Sequence, residues 1–169
     1  MSWKSTRSRV GVVICSLALL VGGVSLAAIQ ANAAVPNAAV AAAAPASGSV
    51  VMLTPCRIAD SRTWTTLTTF WGYETEDQKI AEKCGVPALA AGAILNITVV
   101  PASNFYGGGY LTLYPTDGVR PEVSQVTYNW NNISGEVTVK LGTFGSVTIF
   151  NGSPGMTDVI VDVAGYIAA

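Results

Sequence analysis

The chain has 169 residues, of which half are hydrophobic and 11% are charged, and its net charge is −1. This length suits one domain of ordinary size. The chain has no histidine, which excludes Ser-His-Asp and Cys-His catalysis and histidine-ligated zinc. Lys and Arg do not cluster beyond the N-terminal segment, so we expect no nucleic-acid partner.

The N-terminal segment has the three parts of a secretory signal peptide. Residues 1–9 carry three basic side chains and no acid, residues 10–29 are almost continuously apolar, and residues 31–33 are Ala-Asn-Ala. An uncleaved anchor is the alternative, since about twenty apolar residues can span a bilayer. Glycine and serine inside the apolar run favour cleavage after Ala33. The exported chain then has six basic and ten acidic residues, a net charge of about −4.

Residues 34–48 are rich in alanine, carry no charge and include Pro36 and Pro45. This composition predicts a linker between the cleavage point and a folded domain of residues 49–169, because the prolines limit any alanine helix. The exported chain keeps two cysteines, Cys56 and Cys84, and an even pair outside the cytoplasm indicates a disulfide. A redox pair is the alternative, but redox cysteines usually lie two residues apart.

Alternation of polar and apolar residues predicts strands throughout the domain. The predicted strands are residues 95–99, 110–114, 136–141, 146–150 and 158–163, with weaker candidates at 50–53, 78–83 and 123–130. Residues 142–145, Gly-Thr-Phe-Gly, predict a β-hairpin between two of these strands. Only residues 86–92 are compatible with a helical turn. Eight or nine short strands with regular turn signals predict an all-β fold, an antiparallel, jelly-roll-like β-sandwich with one disulfide.

Six short segments of the domain, taken in their order along the chain, form a recognisable pattern. They are TPCRIADSR, CGVPALAAGAILNITVV, GGYLTLYP, RPEVSQVTY, VKLGTFGSVTIFN and TDVIVDVAGY. Together they resemble a β-domain of secreted and cell-surface proteins of bacteria that has a TPxRxxDTR-like start and a DVxGY-like end. The likeness covers nearly all of residues 50–167. It implies an extracellular accessory module with no agreed activity and no catalytic residues, and it supports the Cys56–Cys84 disulfide, since members with the first cysteine tend to have the second.

Residues 54–62, TPCRIADSR, have the highest density of charged and reactive side chains in the chain, with one cysteine, two arginines, an aspartate and a serine. Asp162 lies between valines of a strand that the pattern makes central, and a buried carboxylate there needs a partner. We expect Arg57 or Arg62 to pair with Asp162, and Asp60 to cap a turn or to accept from one of the arginines. The segment is therefore interpreted as a structural frame that joins the first and last strands.

Two chemical alternatives compete with this interpretation. A paired-carboxylate hydrolase needs two carboxyl groups about 5–10 Å apart in a cleft, whereas Asp158 and Asp162 lie about 13 Å apart along one strand. The acidic residues 74–77 suggest calcium, but they lack the alternating Asp/Asn and Gly of a calcium loop, and a solvated loop is the simpler interpretation. We expect no enzyme activity, no metal and no cofactor.

Trp64, Trp71 and Tyr73 lie in one loop-rich segment. Exposed rings on a β-sandwich can stack on sugars or dock proteins, so these three residues are a candidate ligand surface. For the two tryptophans, packing over a sheet edge is the favoured alternative. Asn151-Gly-Ser and two other sequences match the glycosylation acceptor pattern, which arises readily by chance in strands rich in Asn and Thr.

The sequence therefore predicts a secreted or cell-surface bacterial protein that works as an adhesion or binding module. Cell-wall polysaccharide or a surface protein is the expected partner, and the membrane is contacted only through the signal peptide. A self-assembling subunit of a surface layer or filament is the alternative, because open strand edges permit edge-to-edge pairing. A hydrolase is a third, less favoured interpretation.

Overall fold

The computed structural model describes residues 44, 46–64, 66–102 and 107–169, so the predicted signal peptide and most of the linker lie outside the described residues. Within them the chain forms eight strands. They are β1 (Val50–Asp60), β2 (Thr75–Lys79), β3 (Gly92–Pro101), β4 (Gly109–Pro115), β5 (Val126–Tyr128), β6 (Ile133–Lys140), β7 (Ser146–Asn151) and β8 (Thr157–Ile167). Short 3₁₀ turns occupy Ser61–Thr63 and Thr143–Gly145.

The strands form two antiparallel sheets of four strands each. The first sheet has the order β1-β8-β3-β6, and the second has the order β2-β7-β4-β5. Their inner faces share one hydrophobic core, to which β3 contributes Leu95, Ile97 and Val99 and β4 contributes Leu111 and Leu113. Each such buried side chain stabilises the fold by about 1.5–3 kcal/mol. The predicted all-β antiparallel sandwich with one disulfide is confirmed.

The predicted β-hairpin around residues 142–145 is wrong, because β6 and β7 belong to different sheets. The turn carries the chain from one sheet to the other and needs its glycines. A Cβ on Gly142 would lie 2.4 Å from the Thr116 backbone nitrogen, and a Cβ on Gly145 would lie 2.2 Å from the Ala81 Cβ. Both strands alternate because each has one face in the core, so the sequence pattern resembles that of a hairpin.

Two weaker predictions are displaced along the chain. The strand expected near residues 78–83 is β2, Thr75–Lys79, and the one expected in residues 123–130 shortens to β5. Residues 86–92 form no helix. Instead, the Ala90 N–H donates to the Pro87 carbonyl at 3.2 Å, closing a single turn before β3 begins.

Four connections between the sheets lie at one end of the sandwich. They follow β1, β3, β5 and β7, and their described residues are 61–64, 66–74, 102, 107–108, 129–132 and 152–156. The antiparallel order of both sheets requires that these four strands end on the same side of the molecule. We call this side the aromatic end, after Trp64, Trp71, Tyr73 and Trp130, which all lie in these connections.

Candidate binding surface

Arg57 on β1 and Asp162 on β8 are cross-strand partners. Arg57 Nε donates to Asp162 Oδ1 at 2.8 Å and Nη2 donates to Oδ2 at 3.0 Å, which is a bidentate arrangement. The hydrogen bond to Asp162 raises the pKa of Arg57. Although β8 is a central strand, Asp162 points to the outer face of its sheet, and its side chain is 22% exposed rather than buried. Arg57 is thus the arginine that pairs with Asp162.

Arg62 pairs with Asp60 instead. Arg62 Nε donates to Asp60 Oδ1 at 2.8 Å, Nη2 donates to Oδ2 at 2.6 Å, and the backbone N–H of Arg62 donates to Oδ1 at 3.2 Å. The last bond caps the 3₁₀ turn Ser61–Thr63. The hydrogen bonds from Arg62 lower the pKa of the Asp60 carboxyl. Arg57 Nη1 also reaches Asp60 at 3.5 Å, so one carboxylate joins both arginines.

The Cys56–Cys84 disulfide fixes the next loop to the same part of β1, with 5.9 Å between the two Cα atoms. Glu82, Cys84 and Gly85 all have positive φ angles in that loop. A shallow depression beside Cys56 is floored by Val163 and Ala164. The two charged side chains that line it, those of Arg57 and Asp162, are bonded to each other. Ion pairs and a disulfide thus tie residues 54–62 to β8 and to the loop at Cys84, and we call this segment the frame.

Asp158 connects this frame to the segment that carries the aromatic residues. Its Oδ1 accepts hydrogen bonds from Ser61 Oγ at 2.8 Å and from Thr69 Oγ1 at 2.7 Å. Ser61 Oγ also accepts from the backbone N–H of Val159 at 2.8 Å. Since Ser61 lies three residues before Trp64, and Thr69 lies two residues before Trp71, one carboxylate fixes the approach to both tryptophans.

The backbone of the Trp71–Glu74 turn is held from several sides. Phe70 is fully buried and exchanges two 3.0 Å backbone hydrogen bonds with Thr157. The Tyr73 N–H donates to the Ser153 carbonyl at 3.0 Å, and the Glu74 N–H donates to the Trp71 carbonyl at 3.2 Å. Gly72 lies so close to the next connection that a Cβ there would be 2.3 Å from the Pro154 carbonyl oxygen. Hydrogen bonds and close packing therefore hold the backbone of this turn.

Asn151 is the central residue of this anchoring, and its side chain is fully buried. Its Nδ2 donates to the carbonyls of Trp71 at 3.0 Å and Gly155 at 2.9 Å, and its Oδ1 accepts from the Tyr128 hydroxyl at 2.8 Å. Burial raises the pKa of that Tyr128 hydroxyl. The glycosylation pattern at Asn151 thus lies in the protein interior, where no glycan could be attached.

The aromatic rings themselves are left in solvent. Trp64 is 71% exposed, Trp71 63%, Tyr73 64% and Trp130 67%. Packing of the two loop tryptophans over a sheet edge, which the sequence favoured, is therefore wrong. Trp64 and Tyr73 also have positive φ angles, +54° and +61°. That conformation is unfavourable for a large side chain, and such residues concentrate at functional sites.

The acidic residues 74–77 are engaged in the local fold. Glu74 Oε2 accepts from the Trp71 N–H at 2.7 Å, Glu76 accepts from the N–H and the hydroxyl of Thr68, and Asp77 accepts from Thr148 Oγ1 at 2.5 Å. Among the described residues, no group of three or more Asp, Glu, Cys and His side chains has the geometry to hold a metal ion. Glu74 and Glu76 thus hold the segment that precedes β2, and Asp77 bonds to Thr148, its cross-strand partner on β7.

The sequence predicted the pairing of Cys56 with Cys84 and of Asp162 with Arg57 or Arg62, and it named three of the four exposed rings of the aromatic end. It missed Asn151 and Asp158, which hold the aromatic turns. The only available signal was their position at the boundary of β7 and β8, just before and after the 152–156 connection.

Comparison with protein families, with characterised proteins and with solved structures finds no match to this chain. In the described part of the chain, no helix is long and apolar enough to cross a membrane.

Proposed function

We propose that this protein is a secreted, non-enzymatic binding module of the bacterial cell surface, and that its aromatic end attaches it to cell-wall polysaccharide. The observation that carries this proposal is the contrast between side chain and backbone at Trp71 and Tyr73. Both rings lie in solvent, while buried hydrogen bonds hold the backbone that presents them.

The geometry of the rings suits sugars. The face of an aromatic ring is electronegative, and the apolar C–H face of a pyranose stacks well on it. Consecutive Cα atoms are 3.8 Å apart, so the Cα atoms of Trp71 and Tyr73 lie within about 7 Å of each other. Rigid rings lose little conformational entropy on binding, which favours attachment to a repetitive polymer with many weak contacts. Extracytoplasmic location is supported by the disulfide, which persists in oxidising compartments.

The test is a pull-down of residues 34–169 on insoluble polysaccharides and on cell-wall sacculi. We expect a Trp64→Ala, Trp71→Ala double variant to lose binding. Phe144→Ala is the matched control, because Phe144 is as exposed as these rings but lies at the opposite end of the sandwich. Equal retention of the double variant and the wild type, or no retention on any matrix, would contradict the proposal.

Self-assembly into a surface layer or filament is a second candidate, and one observation favours it. Strand β6 forms an edge of the first sheet over eight residues and pairs only with β3 in the described structure. Such an edge is a template for another strand. Deleting residues 34–48 and sizing the product tests whether the Ala-rich segment donates that strand. Loss of assembly supports a donor role, and an unchanged monomer removes it.

A further inference from the structure

The connection between β4 and β5, residues 116–125, folds back over the outer face of the second sheet. Thr112 Oγ1 donates to the Val123 carbonyl at 2.5 Å, and the Gln125 N–H donates to the Leu111 carbonyl at 3.0 Å. A polar recess of about 320 Å³ remains between this connection and the sheet, and Tyr110 lines it together with residues 120–124. Its volume is at the lower end of the range for small-ligand pockets, about 300–1,000 Å³.

Arg120 is held in this recess by stacking. Its guanidinium carbon lies 3.9 Å from the centroid of the Phe150 ring, and Phe150 is only 5% exposed. Tyr110 packs edge-on against the same ring, with 6.2 Å between the centroids. Cation–π stacking uses the face of the guanidinium and leaves the N–H donors at its edge free.

The donors of Arg120 have no partner among the described residues, in contrast to those of the other two arginines. Arg57 and Arg62 form ion pairs with Asp162 and Asp60, whereas Arg120 makes neither an ion pair nor a hydrogen bond with the described part of the chain. A guanidinium that is oriented by a buried ring, and whose planar fork is unoccupied, is complementary to a carboxylate. A single cation beside Glu122 matches a monovalent carboxylate better than a divalent phosphate.

The recess adjoins the aromatic end. The Tyr110 ring covers Gly152 so closely that a Cβ there would lie 2.3 Å from the ring, and the next residue, Ser153, accepts the Tyr73 N–H. Tyr110 therefore lies between the recess, which it lines, and the 152–156 connection that packs on the Trp71–Glu74 turn. We propose that this recess binds the carboxylate of a sugar acid through Arg120, so that the polysaccharide bound by this protein is an acidic one. This inference rests on the proposed function, and it names the class of polymer.

The test measures binding of a short oligogalacturonate and of its methyl ester to protein expressed from the full coding sequence. We expect the acid to bind more tightly than the ester and to be weakened by salt. Arg120→Gln should weaken binding of the acid about fivefold, since Arg120 is exposed and an ion pair in a solvated site is weak. Glu122→Gln should tighten it about two- to fivefold, since a like charge is removed from a solvated site. Lys140→Gln changes the net charge as Arg120→Gln does, but on β6, and should have no effect.

Arg120→Gln must leave binding of the methyl ester unchanged if the aromatic rings bind sugar independently of charge. Equal affinity of wild type and Arg120→Gln for the acid would overturn the inference while leaving the proposed function intact. If the Trp64→Ala, Trp71→Ala variant still binds both the acid and the ester as the wild type does, the proposed function is overturned instead. A short peptide with a free C-terminus that binds at Arg120, when the oligogalacturonate does not, would also refute the sugar-acid assignment.

Discussion

The replacement of Asn151 by alanine is the most informative perturbation of this fold, because one buried side chain connects three separate segments. Its amide group bonds to the Trp71 and Gly155 carbonyls and to the Tyr128 hydroxyl. Alanine removes this partner from all three groups, and the Asn151 side chain itself is fully buried. A buried polar group without a partner costs about 1–3 kcal/mol.

The total for Asn151→Ala is smaller than three times that value, since Gly155 is half-buried and its carbonyl can turn to water. We expect a loss of about 3 kcal/mol in the free energy of unfolding. For a domain of about 120 residues, this corresponds to a fall of about 10–15 °C in melting temperature. Because the Trp71 carbonyl is released, the turn becomes less ordered, and polysaccharide binding should weaken more than the loss of folded protein explains.

Urea denaturation followed by tryptophan fluorescence measures the change in stability, and hydrogen exchange at the Tyr73 amide measures the loosening of the turn. Asn132→Ala is the control, because Asn132 is exposed and should change the stability by no more than about 0.5 kcal/mol. A loss below about 1 kcal/mol for Asn151→Ala would refute the reasoning, because it would mean that the Asn151 hydrogen bonds are replaced by water at little cost.

Three further changes test the frame and the surface. Asp162→Asn removes the charge that Arg57 binds. This ion pair is half-exposed and worth about 1 kcal/mol, so calorimetry should show a melting temperature about 4 °C lower. No change in melting temperature would disprove the pairing. Arg62 lowers the pKa of Asp60 in the folded state. The contribution of this ion pair to the free energy of unfolding is therefore complete above the usual carboxyl pKa of about 3.9, and it is lost as the pH falls through the lowered value. Urea midpoints between pH 2 and 6 should therefore fall less steeply with acid in Asp60→Asn than in wild type, and parallel curves would exclude this linkage. Trp64→Gly relieves a positive φ angle and should raise stability by up to about 1 kcal/mol while weakening polysaccharide retention; a loss of stability would show that the exposed ring packs on the fold.

The sandwich was predictable because its strands have one buried face. Leu95, Ile97 and Val99 alternate with polar residues, and all three are fully buried. The same rule failed at residues 142–145, where it predicted a hairpin. Alternation specifies which face of a strand is buried, but it does not specify which sheet the strand joins. That choice involves contacts between residues far apart in sequence, such as the close approach of Gly145 to Ala81.

The ion pairs, too, were predictable from the sequence only in part. Arg57 or Arg62 was the expected partner of Asp162 because a carboxylate among valines was expected to be buried; the ion pair is present, but Asp162 lies on the outer face of its sheet. The selection of Arg57 follows from the register of β1 on β8, which places Arg57 directly opposite Asp162. That register includes irregularities between Met52 and Cys56 and between Arg57 and Ala59. Such bulges shift the side chains along a strand, and the alternation pattern does not reveal them.

The frame and the aromatic end meet at Asp158, and their proximity has an energetic reason. A large side chain at positive φ costs about 1–2 kcal/mol, so Trp64 and Tyr73 keep their conformations only where the surrounding structure determines them. For Trp64 that structure is the capped turn that begins at Asp60 and is tied to β8 through Ser61 and Asp158. The charged residues of the frame therefore do more than join two strands, since the turn they fix is the one that presents an exposed ring.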